Sequence, residues 1–339
     1  MISGLSVQFY IHSARSTVGN APGEESSGEC QPIQTTMPRL SIIIAVYNDW
    51  IALDSCLRSV AQQEQGPEFD VVVVDDGSNE PAPERIRQWT RGLPLTIVRQ
   101  PHVGISTARN HGIQLSSGSI LLFVDADCRL QTNCLAALES TVAVSPQHNY
   151  FQLRLIGDCS GFVGRTEHLR LTTLQNQTLQ PNGYIRYLNT AGFAIRRSCV
   201  HAERGLFDPV AQRGEDTLLL ANLIQSGELP FFVADAAVEH EVPQSLLRCL
   251  RKDIRSAFLE GRTYALIASK GIRIRMGHRE RLRMWSSMWR RSKEPSIGKL
   301  ACLVLTVRQL LSRISSLVYR LLRGRSDLRT PDSSPVTRL

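Results

Sequence analysis

The sequence predicts an α/β protein with a mainly parallel central sheet flanked by helices and a helical extension at its C-terminal end. Two observations carry that reading. Between residues 39 and 144, short continuous apolar runs alternate with stretches of helical periodicity. Parallel strands buried on both faces have this appearance. In addition, two of the runs end in carboxylates: "VVVVDDGS" at 71–78 and "SILLFVDADC" at 119–128. Ligands of an open parallel sheet bind at the carboxyl ends of its strands, so Asp75, Asp76, Asp125 and Asp127 are expected along one edge.

Residues 1–37 contain "STVGNAPGEESSGECQP", rich in Ser, Gly, Glu and Pro, and are expected to be disordered. Order is expected from residue 38. "SIIIAVY" reads as a buried strand, and "DWIALDSCLRSVAQQ" places Ile51, Leu53, Leu57, Val60 and Ala61 at helical spacing. "FDVVVV" is the next strand, "ERIRQWT" a short helix and "LTIVRQ" a strand. "ISTARNHGIQLSS" follows as a helix, "SILLFV" as a strand and "TNCLAALESTVAV" as a helix. Further on, Leu219, Leu220, Leu223 and Ile224 give "DTLLLANLIQSG" a helical period. This ordered region is expected to run over 38–265, with a basic amphipathic helical region at 266–325 and a disordered tail at 326–339.

Composition excludes some classes. The chain has 339 residues and a net charge of +8. The segment 262–325 holds 16 Lys/Arg against only Glu280 and Glu294, so the remainder is acidic by about 6 charges. A mildly acidic body with a basic end is a poor match to a nucleic-acid binder, and no nucleic-acid partner is expected. The eight cysteines form no CxxC pair, which favours reduced thiols. No signal peptide is recognisable, and no stretch approaches 18 uncharged apolar residues. A cytoplasmic protein is expected.

The carboxylates need a partner. Four of them converging without a cation would repel and raise one another's pKa. No GxGxxG follows the first strand and no GxxxxGK[ST] loop occurs, which disfavours dinucleotide and P-loop sites. A hard divalent cation, Mg or Mn, held by the D-A-D cluster would serve instead to bind phosphate oxygens. For Asp75 or Asp76 alone, a turn with Gly77 and Ser78 is the competing explanation.

"SIIIAVYN", "VVVVDDGS", "GISTARNHGI" and "LLFVDADC" together resemble the nucleotide-sugar-binding motifs of family 2 inverting glycosyltransferases, which have the GT-A fold. "LNTAGFAIRRS", "GLFDP", "GEDTLLLANLIQSG" and "VEHEVP" resemble that family's acceptor-side motifs, so the likeness runs over roughly residues 39–265. It implies an enzyme that moves a sugar from a nucleotide-diphosphate donor to the hydroxyl of a glycan or lipid-linked acceptor. It also implies roles. Val46, Tyr47 and Asn48, largely through backbone, and one of Asp75 and Asp76 would hold the nucleobase. Arg109 would lie near the nucleoside or diphosphate, and Asp125 near the ribose. Asp127 would ligate the metal, with His240 closing the metal site or touching the diphosphate. Asp216 matches the general base, with Glu215 beside it.

Plainer readings stand next to these. Asp216 or Glu215 could be a helix N-terminal acid, Asn48 a helix cap, Arg109 an exposed helix arginine and His240 a structural loop residue. A helix N-terminus would favour the ionised form of Asp216. A sugar nucleotidyltransferase would want a Gly-rich loop where "AVYNDW" stands, and a non-catalytic sugar-nucleotide-binding scaffold would not need intact "DAD" and "GED".

The basic end has a pattern of its own. Over 303–322, Leu303, Val307, Leu310, Leu311, Ile314, Leu317, Val318 and Leu321 share one helical face, with Arg308, Arg313 and Arg320 on the other. Such a helix can lie in an anionic membrane interface or pack on protein, and the pattern alone does not choose.

Overall fold

A computed structural model describes residues 39–201, 203–211, 213–241, 245–272, 274, 278–291 and 298–326. The segment expected to be disordered, 1–37, and all but the first residue of the expected tail lie outside the described residues.

The chain opens with β1 (Leu40–Val46), α1 (Trp50–Ala61), β2 (Phe69–Asp75), α2 (Glu84–Trp89), β3 (Leu95–Arg99), α3 (Ile105–Leu115) and β4 (Ile120–Asp125). This is the alternation read from the sequence. It continues through β5 (Cys128–Leu130), α4 (Cys134–Val144), β6 (Tyr150–Gly157), α5 (Phe162–Thr178), β7 (Phe193–Arg196), α6 (Glu215–Gln225) and β8 (Phe231–His240). Three helices close it: α7 (Leu246–Ser269), α8 (His278–Arg291) and α9 (Gly298–Ser326).

All eight strands form one sheet in the order β3-β2-β1-β4-β7-β6-β8-β5. β3, β2, β1 and β4 are mutually parallel. Beyond β4 the sheet is mixed: β7 is antiparallel to β4 and β6, β8 is parallel to β6, and β5 is antiparallel to β8. The expected "mainly parallel" sheet is therefore parallel in its first half and mixed in its second.

Both faces of the parallel half are covered, which is why β1 needs an unbroken apolar run. Ile42, Ile44 and Val46 pack toward Leu53, Leu57 and Val60 of α1, while Ile43 joins Phe123, Ile113 of α3 and Leu219, Leu220 and Leu223 of α6. α3 lies so close to β1 that a Cβ on Gly112 would sit 2.5 Å from Ile43 Cγ2. In α1 two expectations fail: Ile51, 78% exposed, and Ala61 face solvent, and Trp50 and Cys56 take the buried places.

The C-terminal helices belong to the same compact unit as the sheet. In α9 the buried line is Ala301, Cys302, Leu305 and Arg308, with Leu169 of α5 and Met288 of α8 against its apolar members. Arg308, expected on the solvent face, is buried because Asp253 of α7 accepts from its Nε at 2.6 Å and Thr166 of α5 from its Nη1 at 3.1 Å. The row Leu303, Val307, Leu310, Ile314, Leu317 and Val318 stays exposed. No helix among the described residues is long and apolar enough to cross a membrane.

Candidate active site

The carboxyl ends of β1, β2 and β4 open into a cleft of about 2370 Å³. Val46, Tyr47, Asp76, Arg109, Asp125, Asp127, Glu215, Asp216 and His240 line it, so β1, α3, β4, α6 and β8 and the segments after β1, β2 and β4 converge there. Asn48 and Asp75, expected to bind nucleotide, do not line the cleft. Asn48 has a positive φ of 56°, and its side-chain oxygen accepts from Asn79 N at 2.7 Å, bracing two loops together. The cap of α1 is Asp49, which accepts from Ala52 N, not Asn48. Asp75 is buried and accepts from Ser78 N at 2.8 Å, the turn role that was its plainer reading.

Asp76 is the member of the pair that faces the cleft. Its carboxylate accepts from Gln100 Nε2, Val103 N and Gly104 N at 2.8, 3.1 and 3.0 Å, which pins the loop entering α3. The ring of His102, in that loop, stacks on Tyr47 with centroids 4.2 Å apart. The two rings make an aromatic edge where a planar base could rest.

Arg109 is no exposed helix arginine. It is 1% exposed, and its terminal nitrogens donate to Asp125 Oδ1 and Glu215 Oε1, both at 2.6 Å. The guanidinium thus joins the strand-end "DAD" to the "GED" turn. With both terminal nitrogens engaged, it positions carboxylates instead of offering a free charge to a diphosphate.

The "GED" turn starts from Gly214, whose φ of 78° is left-handed backbone that glycine adopts without strain. Glu215 and Asp216 follow as the first residues of α6. Burial, then the charges of Glu215 and Glu260, push the Asp216 carboxyl up to about 7 against the opposing pull of the Thr217 N–H and Arg109. The helix N-terminus was expected to favour the ionised form. Burial beside two other acids outweighs it.

At the other side of the cleft, the antiparallel pairing of β5 with β8 sets Cys128 opposite His240, and Glu241 N donates to the Asp127 carbonyl at 2.8 Å. His240 is therefore the end of a strand rather than a loop residue. Its Nε2 lies 3.6 Å from Asp127 Oδ2, longer than a hydrogen bond. Its buried Nδ1 has no hydrogen-bond partner among the described residues. Lys252 Nζ of α7 approaches the same Asp127 oxygen at 3.7 Å. Asp127, Cys128 and His240 could offer donor atoms within 4.8 Å of one another. Burial raises the Cys128 thiol well above its ordinary pKa, so it stays neutral and is a poor ligand for a hard cation. One carboxylate and one imidazole fit a divalent ion that keeps its other positions for phosphate oxygens and water.

Sequence reasoning missed Lys252 and Glu260 of α7, and the pair Glu167–Arg170 of α5. Glu167 is held at about 2 because Arg170, aided by His240 and Arg308, overcomes the burial that works against its charge. These residues carry no motif. The one sequence signal was acidic and basic residues on a helix rich in apolar positions.

Residues 41–201 match the family model for glycosyl transferase family 2. Glycosyltransferase AglE of Haloferax volcanii is 35% identical over 112 residues, 32% of this chain and 37% of that protein. Validoxylamine A glucosyltransferase of Streptomyces hygroscopicus is 31% identical over 169 residues, 48% of this chain and 34% of that protein. The matched part thus spans about a third of the length of these relatives. Among solved structures, mannosyltransferase PcManGT from Pyrobaculum calidifontis, in complex with GDP-Man and Mn2+, aligns with a TM-score of 0.58 and 16% identity over 85% of this chain and 88% of that one. At that identity the likeness speaks for the fold, which is the GT-A architecture. Residues 41–201, from β1 to β7, thus match glycosyl transferase family 2 within a fold of GT-A architecture.

Proposed function

We propose that the protein is a metal-dependent inverting glycosyltransferase that moves a sugar from a nucleotide diphosphate to a hydroxyl acceptor in polysaccharide or glycolipid synthesis. The observation that carries this reading is Asp216. It lines the same cleft as Asp125, Asp127 and His240, with its carboxyl pushed up to about 7. A base poised near neutral pH can take a proton and still be ionised often enough to act.

In this mechanism the nucleobase rests at the Tyr47–His102 edge, Asp76 fixes the loop around it, and Asp125 faces the ribose. Asp127 and His240 would hold a divalent cation, which supplies Lewis-acid stabilisation of the charge on the departing diphosphate. The structure of mannosyltransferase PcManGT, in complex with GDP-Man and Mn2+, supports that choice. Asp216 accepts the proton of the acceptor hydroxyl as its oxygen forms a bond to the anomeric carbon. The bond from that carbon to the diphosphate breaks on the opposite face, inverting the centre. Arg109 pairs with Glu215, so Glu215 positions while Asp216 accepts. Domain 38–265 would supply this chemistry, and helices within 266–325 would complete the cleft wall.

The exposed apolar row of α9, with basic residues around it, supports a peripheral seat on an anionic membrane surface. Co-sedimentation with anionic vesicles should fall for Leu310→Glu, and equal sedimentation would remove this part. For the donor site, calorimetry with UDP and GDP should give binding that requires Mn2+ and is lost in Asp127→Asn. Binding that ignores both the metal and the substitution would refute the metal assignment.

A further inference from the structure

One wall of the cleft is charged in a way the donor site does not use. Arg251 and Arg255 of α7, Arg281 and Arg283 of α8 and Arg313 of α9 all line it. None of the five makes an ion pair or side-chain hydrogen bond among the described residues, in contrast to Lys252 at Asp127 and Arg308 at Asp253. Arg251 and Arg255 are four residues apart on one helix, a spacing at which like charges face each other and destabilise it. The acids of these three helices that line the same cleft are Asp253, Glu260 and Glu280. Asp253 is committed to Arg308, and burial pushes the Glu260 carboxyl up toward its neutral form. Five guanidiniums gathered from three helices outnumber the three acids beside them and make no ion pair among the described residues, and guanidinium is the group that best matches phosphate oxygens.

The wall also has an apolar continuation. Leu317 of α9 lines the cleft and is 50% exposed, and it stands in the open row with Leu303, Val307, Leu310, Ile314 and Val318. A ligand reaching out of the cleft past Arg313 would pass from cationic to apolar surface within one helix. Asp216, the arginines and Leu317 of the apolar row all line this one cleft.

We infer that this wall is the acceptor subsite, and that the acceptor is a lipid carrying a phosphate: its hydroxyl-bearing head at Asp216, its phosphate among Arg251, Arg255, Arg281, Arg283 and Arg313, and its hydrocarbon chain along α9. This rests on the transferase reading above and adds the class of acceptor. The arrangement explains why the apolar face of α9 points outward while Arg308 anchors the helix inward. Three basic residues of 262–325, Arg281, Arg283 and Arg313, thereby stand where the anion would be held.

The test is calorimetry on the full chain with farnesyl phosphate, farnesol and inorganic phosphate, below the lipid's aggregation threshold and in EDTA to keep anions off a metal. Farnesyl phosphate should bind saturably, and farnesol and inorganic phosphate each at least tenfold more weakly. Arg251→Gln with Arg255→Gln should weaken farnesyl phosphate at least tenfold, as should Arg313→Gln on a different helix. Melting temperature and Mn2+-dependent UDP and GDP affinity should stay at the wild-type value. Equal affinity for farnesol would reduce the wall to an apolar surface, and equal affinity for inorganic phosphate would reduce it to a free-anion site. Either overturns the inference, as do variants that bind farnesyl phosphate like wild type or lose nucleotide in parallel. If wild type binds farnesyl phosphate but no nucleotide with Mn2+, the donor reading fails while the lipid-phosphate site stands.

Discussion

Asp216 is costly to the fold in proportion to its use. Its folded pKa of about 7 lies above the value near 3.9 of an unfolded aspartate. The folded state therefore binds more protons between those values, and its stability falls as pH rises through that window. Asp216→Asn keeps an oxygen that can accept from Thr217 N and carries no charge. It should melt at the same temperature as wild type near pH 4 and higher than wild type near pH 8. Thermal melts at both pH values check this, and a variant that gained nothing at pH 8 would refute the raised pKa. Transfer by the same variant should drop by roughly 10² to 10⁴-fold in kcat, the usual contribution of a positioned base. Arg109 acts in the opposite sense. Arg109→Met leaves Glu215 buried without its partner, and breaking a buried pair costs about 3–5 kcal/mol. Urea unfolding should show that loss. Because Arg109 also holds the Asp216 pKa down, the rising limb of kcat against pH should move to higher pH. A purely structural arginine would leave that limb in place.

At the level of elements, β1, β2 and β4 were legible because each is a continuous run of mostly buried apolar residues, and β3, half-buried at the sheet edge, by its short apolar run. β6 was not, because Gln152 interrupts the apolar pattern at a fully buried position. Its amide donates to Gly192 O at 2.9 Å and accepts from Asn189 N at 2.8 Å, so burial is satisfied by hydrogen bonds that no periodicity reveals. The β5–β8 pairing was hidden for a related reason: three residues of strand are too few to read, yet they bring His240 to Asp127. The motifs named Asp127, Asp216 and His240 correctly as residues of one cleft, but the spacing of the motifs says nothing of which side chains bond to one another. Asn48 took another place for that reason, and Arg109, though it lines the cleft, is paired with Asp125 and Glu215. In α9 the apolar stripe was visible and its direction was not, since a buried Arg308 paired with Asp253 overrides simple amphipathicity. Ending the chain at Arg291 would expose Leu169 and Met288 and leave Glu167 and Asp253 without Arg308. That truncation should lower the melting temperature and widen the transition, and an unchanged melt would show that α9 is not part of the packed unit. Close packing is testable at α3 as well. Gly112→Ala places a methyl 2.5 Å from Ile43 Cγ2, and overpacking of this kind costs about 1–3 kcal/mol. A denaturant midpoint equal to wild type would contradict that close contact.

For the whole molecule, the carboxyl ends of the parallel half open into the cleft, the mixed half delivers His240, and the C-terminal helices line the remaining wall. In the proposed reading the acidic body would hold the reacting groups, and the C-terminal helices would face the acceptor. Donor turnover joins these parts in one observable. The full chain should be incubated with a panel of UDP- and GDP-sugars, and released nucleoside diphosphate measured with Mn2+, with EDTA, and in Asp127→Asn. The expected result is slow release from at least one donor that requires Mn2+ and is lost in Asp127→Asn. Release from none of the donors, or release indifferent to both EDTA and the substitution, would contradict the proposal of a metal-dependent glycosyltransferase.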